Sequence, residues 1–333
     1  MALIRDFGTI DGVAVQAVEL RSPGGAVASI VTIGAAVRGL TVPVGDGAPR
    51  PVVLGYETVE GYRLNPSHLG VIAGRCANRI GGGRFRLDGR EVRLAVNEGG
   101  VNTLHGGPVG FTRRIWRLEG ASEDAVELSL VSEDGDQGWP GRVEARVVYR
   151  LTGAASLEIS ASATCDAPTP VNLTNHAYFT LSGGADCRDH RLELSADFYT
   201  PVDAAMIPTG AILPVAGTEY DFRSPRRIDG DYDVAFALSG APGEVALAAR
   251  VWSPDERLRL EVETDQPALQ LYTAAHLGAT GAPHDGIAHG PHAGFCLEAQ
   301  GFVDAPNKRQ FPSVVLRPGA RYRHRTAYRF FAD

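Results

Sequence analysis

The chain has 333 residues, 44% of them hydrophobic, which is enough apolar side chain for a sizeable core. Its 32 Lys and Arg against 39 Asp and Glu leave a net charge of -7, which argues against a nucleic-acid binder. No apolar run approaches the ~20 residues of a membrane span, so neither nucleic acid nor membrane is an expected partner.

With 40 Gly, 21 Pro and 2 Met, the composition favours many turns and few long helices, hence an all-β fold. The first six residues carry no basic stretch followed by an apolar one, so a cytoplasmic protein is expected. The cysteines Cys76, Cys165, Cys187 and Cys296 are scattered, without a C-x-x-C pair. Such spacing predicts neither a disulfide framework nor a zinc site, and isolated cysteines usually serve as small buried hydrophobes.

The period is two almost throughout. Phe85 and Leu87, the turn Asp88-Gly89, then Val92 and Leu94 predict a hairpin with a type I′ turn. Val143, Ala145, Val147 and Tyr149 alternate up to Thr152-Gly153, and Leu157, Ile159 and Ala161 resume the pattern in a second hairpin. A third runs from Val251-Trp252 through Ser253-Pro254-Asp255 to Leu258, Leu260 and Val262. The best short helix falls over 233–238, and beyond Pro318-Gly319 the alternation continues from Tyr322 to Phe330. Gly and Pro are spread evenly, with no linker and no repeat of fixed period. The expectation is a single domain, 1–333, built as a large antiparallel β-sandwich.

Four segments hold polar groups that a plain strand or turn does not call for. Gly74-Arg75-Cys76-Ala77-Asn78-Arg79-Ile80 offers either a hydrogen-bonding wall for a hydroxyl-rich or anionic ligand, or a turn whose arginines meet solvent. Asn102-Thr103-Leu104-His105-Gly106-Gly107 has glycines that would let backbone approach a ligand closely, but a surface histidine reads equally well. Asn172-Leu173-Thr174-Asn175-His176-Ala177-Tyr178-Phe179 is a polar cluster in a strand-like setting, either a paired network or a binding site. In Phe295-Cys296-Leu297-Glu298-Ala299-Gln300-Gly301-Phe302, Glu298 and Gln300 share one strand face. A carboxylate set in an apolar strand has its pKa raised, which suits a general base; the alternative is an edge-strand Glu facing water. His284, Asp285, His289 and His292 cluster in a Gly- and Pro-rich loop without helical zinc-motif spacing, so no metal is expected there.

In order, these segments resemble the aldose 1-epimerases, the galactose mutarotase family. The resemblance runs from Val53-Leu54-Gly55-Tyr56 with Glu60-Gly61-Tyr62 to the C-terminal strands. It takes in the NRI run at Asn78, LHGG at Leu104, Gly110-Phe111 with Trp116, and Gly138-Trp139-Pro140-Gly141. LTNHAYF around His176, Ile207-Pro208-Thr209-Gly210, and Gly217-Thr218 with Asp221-Phe222-Arg223 follow. Leu297-Glu298-Ala299-Gln300 and Asp304-Ala305-Pro306-Asn307 complete the set.

The resemblance implies a β-supersandwich that binds a monosaccharide, with Glu298 as base, His176 as acid, and no metal or other cofactor. It implies that Arg79, His105 and Asn78 bind sugar hydroxyls, and so does Asp233 in Tyr232-Asp233-Val234-Ala235-Phe236. There the family pattern has His-Asn where this chain has Val234-Ala235, so support for Asp233 and the choice of sugar are the points at issue. Gln300, sharing the face of Glu298, joins the binding set, while Tyr178 and Phe179 are expected in the core. The chemistry implied is mutarotation starting from an ionised Glu298 and a protonated His176, charges that their proximity favours and burial opposes without the sequence deciding between them, with a monomer or homodimer expected. A sugar-phosphate mutarotase using Arg75 and Arg79, or a non-catalytic sugar-binding module, are the alternatives.

Overall fold

Alternation of apolar and polar residues turns into sheets wherever one face can be buried. In the computed structural model, which describes residues 2–45, 47–184 and 186–332, strands Val143–Thr152 and Ser156–Cys165 pair antiparallel from Val143↔Cys165 to Thr152↔Ser156. Met1, Asp46, Ala185 and Asp333 lie outside the described residues. Val143, Ala145, Val147, Tyr149 and Leu151 are buried, while Glu144, Arg146 and Arg150 between them are exposed. The Asp88-Gly89 turn joins Arg84–Leu87 to Arg90–Arg93 with φ of 49° and 82°, the two positive values of a type I′ turn. The third predicted hairpin forms as Ala246–Trp252 and Leu258–Thr264.

Among the described residues the strands assemble into sheets of nine, six and five, with smaller two-stranded pairs. In the nine-stranded sheet the C-terminal strand Tyr322–Ala332 lies between Ser156–Cys165 and Leu258–Thr264. The six-stranded sheet runs Tyr178–Phe179, Phe295–Gln300, Ala268–Tyr272, Asp233–Ala237, Phe198–Thr200, Leu213–Pro214, each neighbour antiparallel. One apolar core joins Phe236, Leu269, Leu271, Phe295 and Leu297 of this sheet to Val147, Tyr149, Leu260, Val262 and Tyr328 of the nine-stranded one. Truncating one such leucine to alanine costs about 2–5 kcal/mol.

Because side chains alternate, Cys296, Glu298 and Gln300 point to the opposite face of Phe295–Gln300. Every residue of that strand is buried, so loops cover this second face as well.

The segment read as a helix over 233–238 is the strand Asp233–Ala237, held between Phe198–Thr200 and Ala268–Tyr272. Strand neighbours on both sides and the burial of Val234 and Phe236 in the core override the local pattern. Among the described residues the α-helix that does form is Val59–Leu64, with Glu60 in its first turn and Arg63 in its last, as the helix dipole favours. It carries Gly61 because a Cβ there would stand 2.5 Å from Tyr56 Cβ.

Candidate active site

The LTNHAYF run breaks into two short strands with different partners. Thr174–Asn175 pairs with Ile72–Ala73, and Tyr178–Phe179 pairs with Phe295 and Cys296. His176 sits at the break, its N–H donating to Val71 O and its carbonyl accepting from Gly70 N–H. Its ring stacks on Tyr178 with centroids 5.1 Å apart and meets His105 edge-on at 5.2 Å. His176 Nε2 lies 3.6 Å from Glu298 Oε1, and its Nδ1 lies 3.6 Å from Cys296 Sγ. Glu298, 2% exposed on a central strand, keeps its Oε2 without a hydrogen-bond partner among the described residues. That arrangement excludes an edge-strand glutamate facing water.

Both residues border a cleft of about 200 Å³ together with Asn78, Arg79, His105, Tyr178, Asp233 and Tyr272. Asn78 and His105 face each other across the short pair Arg79–Ile80 with Thr103–Leu104. Asn78 N–H donates to His105 Nδ1 at 3.2 Å, which leaves the proton of a neutral His105 on Nε2. Asn78 and His105 both hold positive φ, 58° and 49°, as does His68 at 56°, so three cleft residues sit in the left-handed region. Arg79 is held by Glu98 through Nε at 2.9 Å and Nη2 at 2.7 Å, and its Nη1 lies 3.9 Å from Asp233 Oδ2. Gln270 Nε2 donates to Asp233 Oδ1 at 2.5 Å, and Gln270 is the cross-strand neighbour of Glu298. Asp233 therefore keeps its support without the His-Asn pair: Val234 and Ala235 are buried strand residues, and Gln270 and Arg79 hold the carboxylate.

Burial decides the charges. It pushes the Glu298 carboxyl well above the usual range, the nearby Asp233 adds to the push, and Arg79 opposes it. Burial also lowers His176 to about 4. His105 is lowered well below its ordinary value, by burial first and then by His68, His176 and Arg79. Burial therefore disfavours the charged form of both groups and pushes the pair toward a neutral carboxyl beside a neutral imidazole, a balance that the sequence does not decide. Desolvation outweighs mutual attraction for groups this enclosed.

Arg75 does not reach the cleft. It is 1% exposed and donates to Ser132 Oγ and O, Glu133 O, Pro140 O and Thr169 Oγ1, an internal strut between loops. The glycines after His105 serve the protein's own packing: a Cβ on Gly106 would stand 1.9 Å from Gly74 O, and one on Gly107 would stand 3.2 Å from the Gln137 side chain. Gln300 lies outside the cleft lining; it is fully buried, and neither polar atom of its side chain has a partner among the described residues. The histidines of the 284–292 loop diverge: His284 meets Glu57, His289 meets Gly55 O, and His292 meets Asp231. Among the described residues, the His, Cys and carboxylate atoms that do converge, within 4.8 Å, are those of His176, Cys296 and Glu298.

Phe179 and Tyr178 are both in the core as expected, and Tyr178 also borders the cleft, its ring stacked on His176. His68, Glu98, Gln270 and Tyr272 are cleft or supporting residues that the sequence motifs do not single out. Gln270 and Tyr272 alternate in an apolar strand as Glu298 and Gln300 do, which is the signal in the sequence that marks them. His68 and Glu98 lie in loops whose approach to the cleft only the fold creates.

The aldose 1-epimerase family model matches residues 16–329. The aldose 1-epimerase of Escherichia coli (strain K12) is 41% identical, covering 97% of both chains. The human galactose mutarotase is 40% identical over 90% of each. Among solved structures, an aldose epimerase homologue from C. elegans superposes with a TM-score of 0.90 at 31% identity, covering 96% of this chain and 99% of that one. The galactose 1-epimerase from Lactobacillus acidophilus NCFM gives 0.86 at 27% identity, covering 100% and 99%. With these matches spanning nearly its whole length, the chain belongs to the aldose 1-epimerase family.

Proposed function

We propose that this chain is a mutarotase in which Glu298 and His176 open and reclose the hemiacetal of a free aldose. The observation that carries the assignment is a buried carboxyl with one unpartnered oxygen, 3.6 Å from an imidazole nitrogen, at the floor of a polar cleft. The anomeric carbon bears both its hydroxyl and the ring oxygen, so one sugar presents both oxygens to the pair at once. Ring opening moves the hydroxyl proton to Glu298 while His176 protonates the ring oxygen. Rotation about C1–C2 turns the other face of the aldehyde, and reclosure runs both transfers backwards.

The pair carries one proton throughout. With the open-chain aldehyde bound, Glu298 holds it and His176 is neutral, the state that burial favours in the empty cleft. Sugar hydroxyls and the developing charge on oxygen must then support the ionised pair needed for ring opening. Neutral His105, donating from Nε2, and Arg79 supply hydrogen bonds for those oxygens, and Asn78 and Asp233 accept or donate to ring hydroxyls. Gln300, off the cleft, takes no part.

Two observations bear against a sugar phosphate: Arg75 spends its donors internally, and Arg79 is already paired with Glu98. This reading takes residues 1–333 as one domain, since the nine-stranded sheet draws on strands from Arg117 to the C-terminus. It also takes a cytoplasmic setting, with which four free cysteines agree; no helix of the described residues is long and apolar enough to cross a membrane. Polarimetry of freshly dissolved α-glucose, α-galactose, xylose and arabinose tests the activity. Acceleration of one or more is expected, and acceleration of none overturns the proposal.

A further inference from the structure

One cross-strand row sets the order of side chains along the cleft. Tyr178, Cys296, Tyr272 and Asp233 are successive partners on four neighbouring strands, so Asp233 stands about 14 Å from the strand of Tyr178. Glu298 shares the strand of Cys296, and His176 lies just before that of Tyr178. Past Tyr178 the row runs into the loop 65–70, where the Tyr178 hydroxyl donates to Ser67 O at 2.8 Å. His68 follows Ser67 and borders the cleft at the end opposite Asp233.

The loop holds His68 in place. Asn65 Oδ1 accepts from Leu69 N–H at 2.8 Å, His68 N–H donates to Asn65 O, and Gly70 N–H donates to His176 O. The His68 ring centroid lies 4.7 Å from that of His105 and 6.2 Å from that of His176. The ring is half-buried and forms no side-chain hydrogen bond among the described residues. Burial, with His176 and Arg113 adding to it, lowers His68 to about 3, so the imidazole is neutral and offers one N–H donor and one acceptor. A hydroxyl is itself donor and acceptor, and it can match either nitrogen.

Pyranose geometry decides which hydroxyl arrives there. With the C1 hydroxyl on Glu298 and the ring oxygen on His176, the path from ring oxygen through C1 to C2 runs toward Asp233. C5 is the other neighbour of the ring oxygen and lies across the ring from C2, so its substituent extends toward His68. We infer that His68 binds the C6 hydroxyl of a hexose and makes the enzyme prefer hexoses over sugars that lack this group. The inference rests on the mutarotase reading.

Polarimetry of α-glucose against 6-deoxy-α-glucose, and of α-galactose against 6-deoxy-α-galactose, tests it in the wild type and in His68→Phe. Phenylalanine keeps a ring against His105 and removes both nitrogens. In the wild type each hexose should exceed its 6-deoxy analogue in kcat/KM by about threefold to tenfold, the worth of one hydrogen bond. In His68→Phe that ratio should fall to about one, and turnover of the 6-deoxy sugars shows that the variant is folded. ¹⁵N NMR of the wild type needs no variant: the His68 ring nitrogens should shift more with a saturating hexose than with its 6-deoxy analogue. A wild-type ratio near one, a ratio kept in His68→Phe, or equal His68 shifts with both sugars would each overturn the role of His68 while leaving the mutarotase reading intact. No acceleration of any sugar by the wild type would instead overturn that reading.

Discussion

Replacing Glu298 by Gln separates the proton acceptor from everything else the side chain does. Glu298 is 2% exposed on a central strand, so the isosteric amide fills the same space and creates no cavity. It cannot take the anomeric proton, which should lower kcat by about 10²–10⁴-fold, or about 3–5 kcal/mol of barrier, with KM little changed. Stability should move the other way. A carboxyl whose folded pKa is raised contributes stability that is present below its unfolded value and is lost as pH rises through the folded value. The amide has no such loss, so Glu298→Gln should match the wild type at pH 4 and be at least as stable at pH 8. Polarimetry with α-glucose measures the rate, and thermal melts at the two pH values measure the second effect. A variant that keeps more than about a tenth of the wild-type rate would refute the assignment of the base.

Because the pair works with one proton, kcat/KM, which reports the groups of the empty cleft, should follow a bell in pH. The acid limb should lie near pH 4, where His176 gains a second proton for the pair, and the alkaline limb well above the ordinary carboxylate range, where Glu298 loses the last one. An acid limb near 6.5, or a limb at an ordinary glutamate value, would show that burial does not set these charges. Cys296→Ala removes the thiol beside His176 Nδ1 and, S–H being a weak donor, should lower kcat about threefold to tenfold, with Cys296→Ser restoring it. The ¹⁵N shifts of His176 should report a changed tautomer in the alanine variant alone, and unchanged shifts would remove the thiol from this role. Gln300→Met replaces two unpartnered buried polar atoms with an apolar chain and should be neutral or stabilising by about 1–2 kcal/mol, with sugar KM unchanged. A raised KM would return Gln300 to the sugar-binding set.

Much of the fold was legible because it is local. A period of two, interrupted by a Gly-containing turn, specifies a strand and its hairpin partner within about twenty residues, as at 143–165 and 84–93. Where the pattern was short and apolar, as at 233–237, helix and strand were indistinguishable in sequence, and the two neighbouring strands made the choice.

For the site, the ordered runs around Asn78, His105, His176 and Glu298 were legible in the sequence, and the family resemblance they carry implies an acid, a base and their hydrogen-bonding neighbours. The sequence did not determine which polar residues meet. Arg75 and Arg79 are four residues apart and read alike, but one is an internal strut and the other lines the cleft. Glu298 and Gln300 share a strand face, but the cleft stops between them. Charge state was likewise undecided until the fold closed over the pair, because desolvation depends on what every other segment covers. Proton affinity and contact belong to the assembled surroundings of a side chain, and only the tertiary structure supplies those.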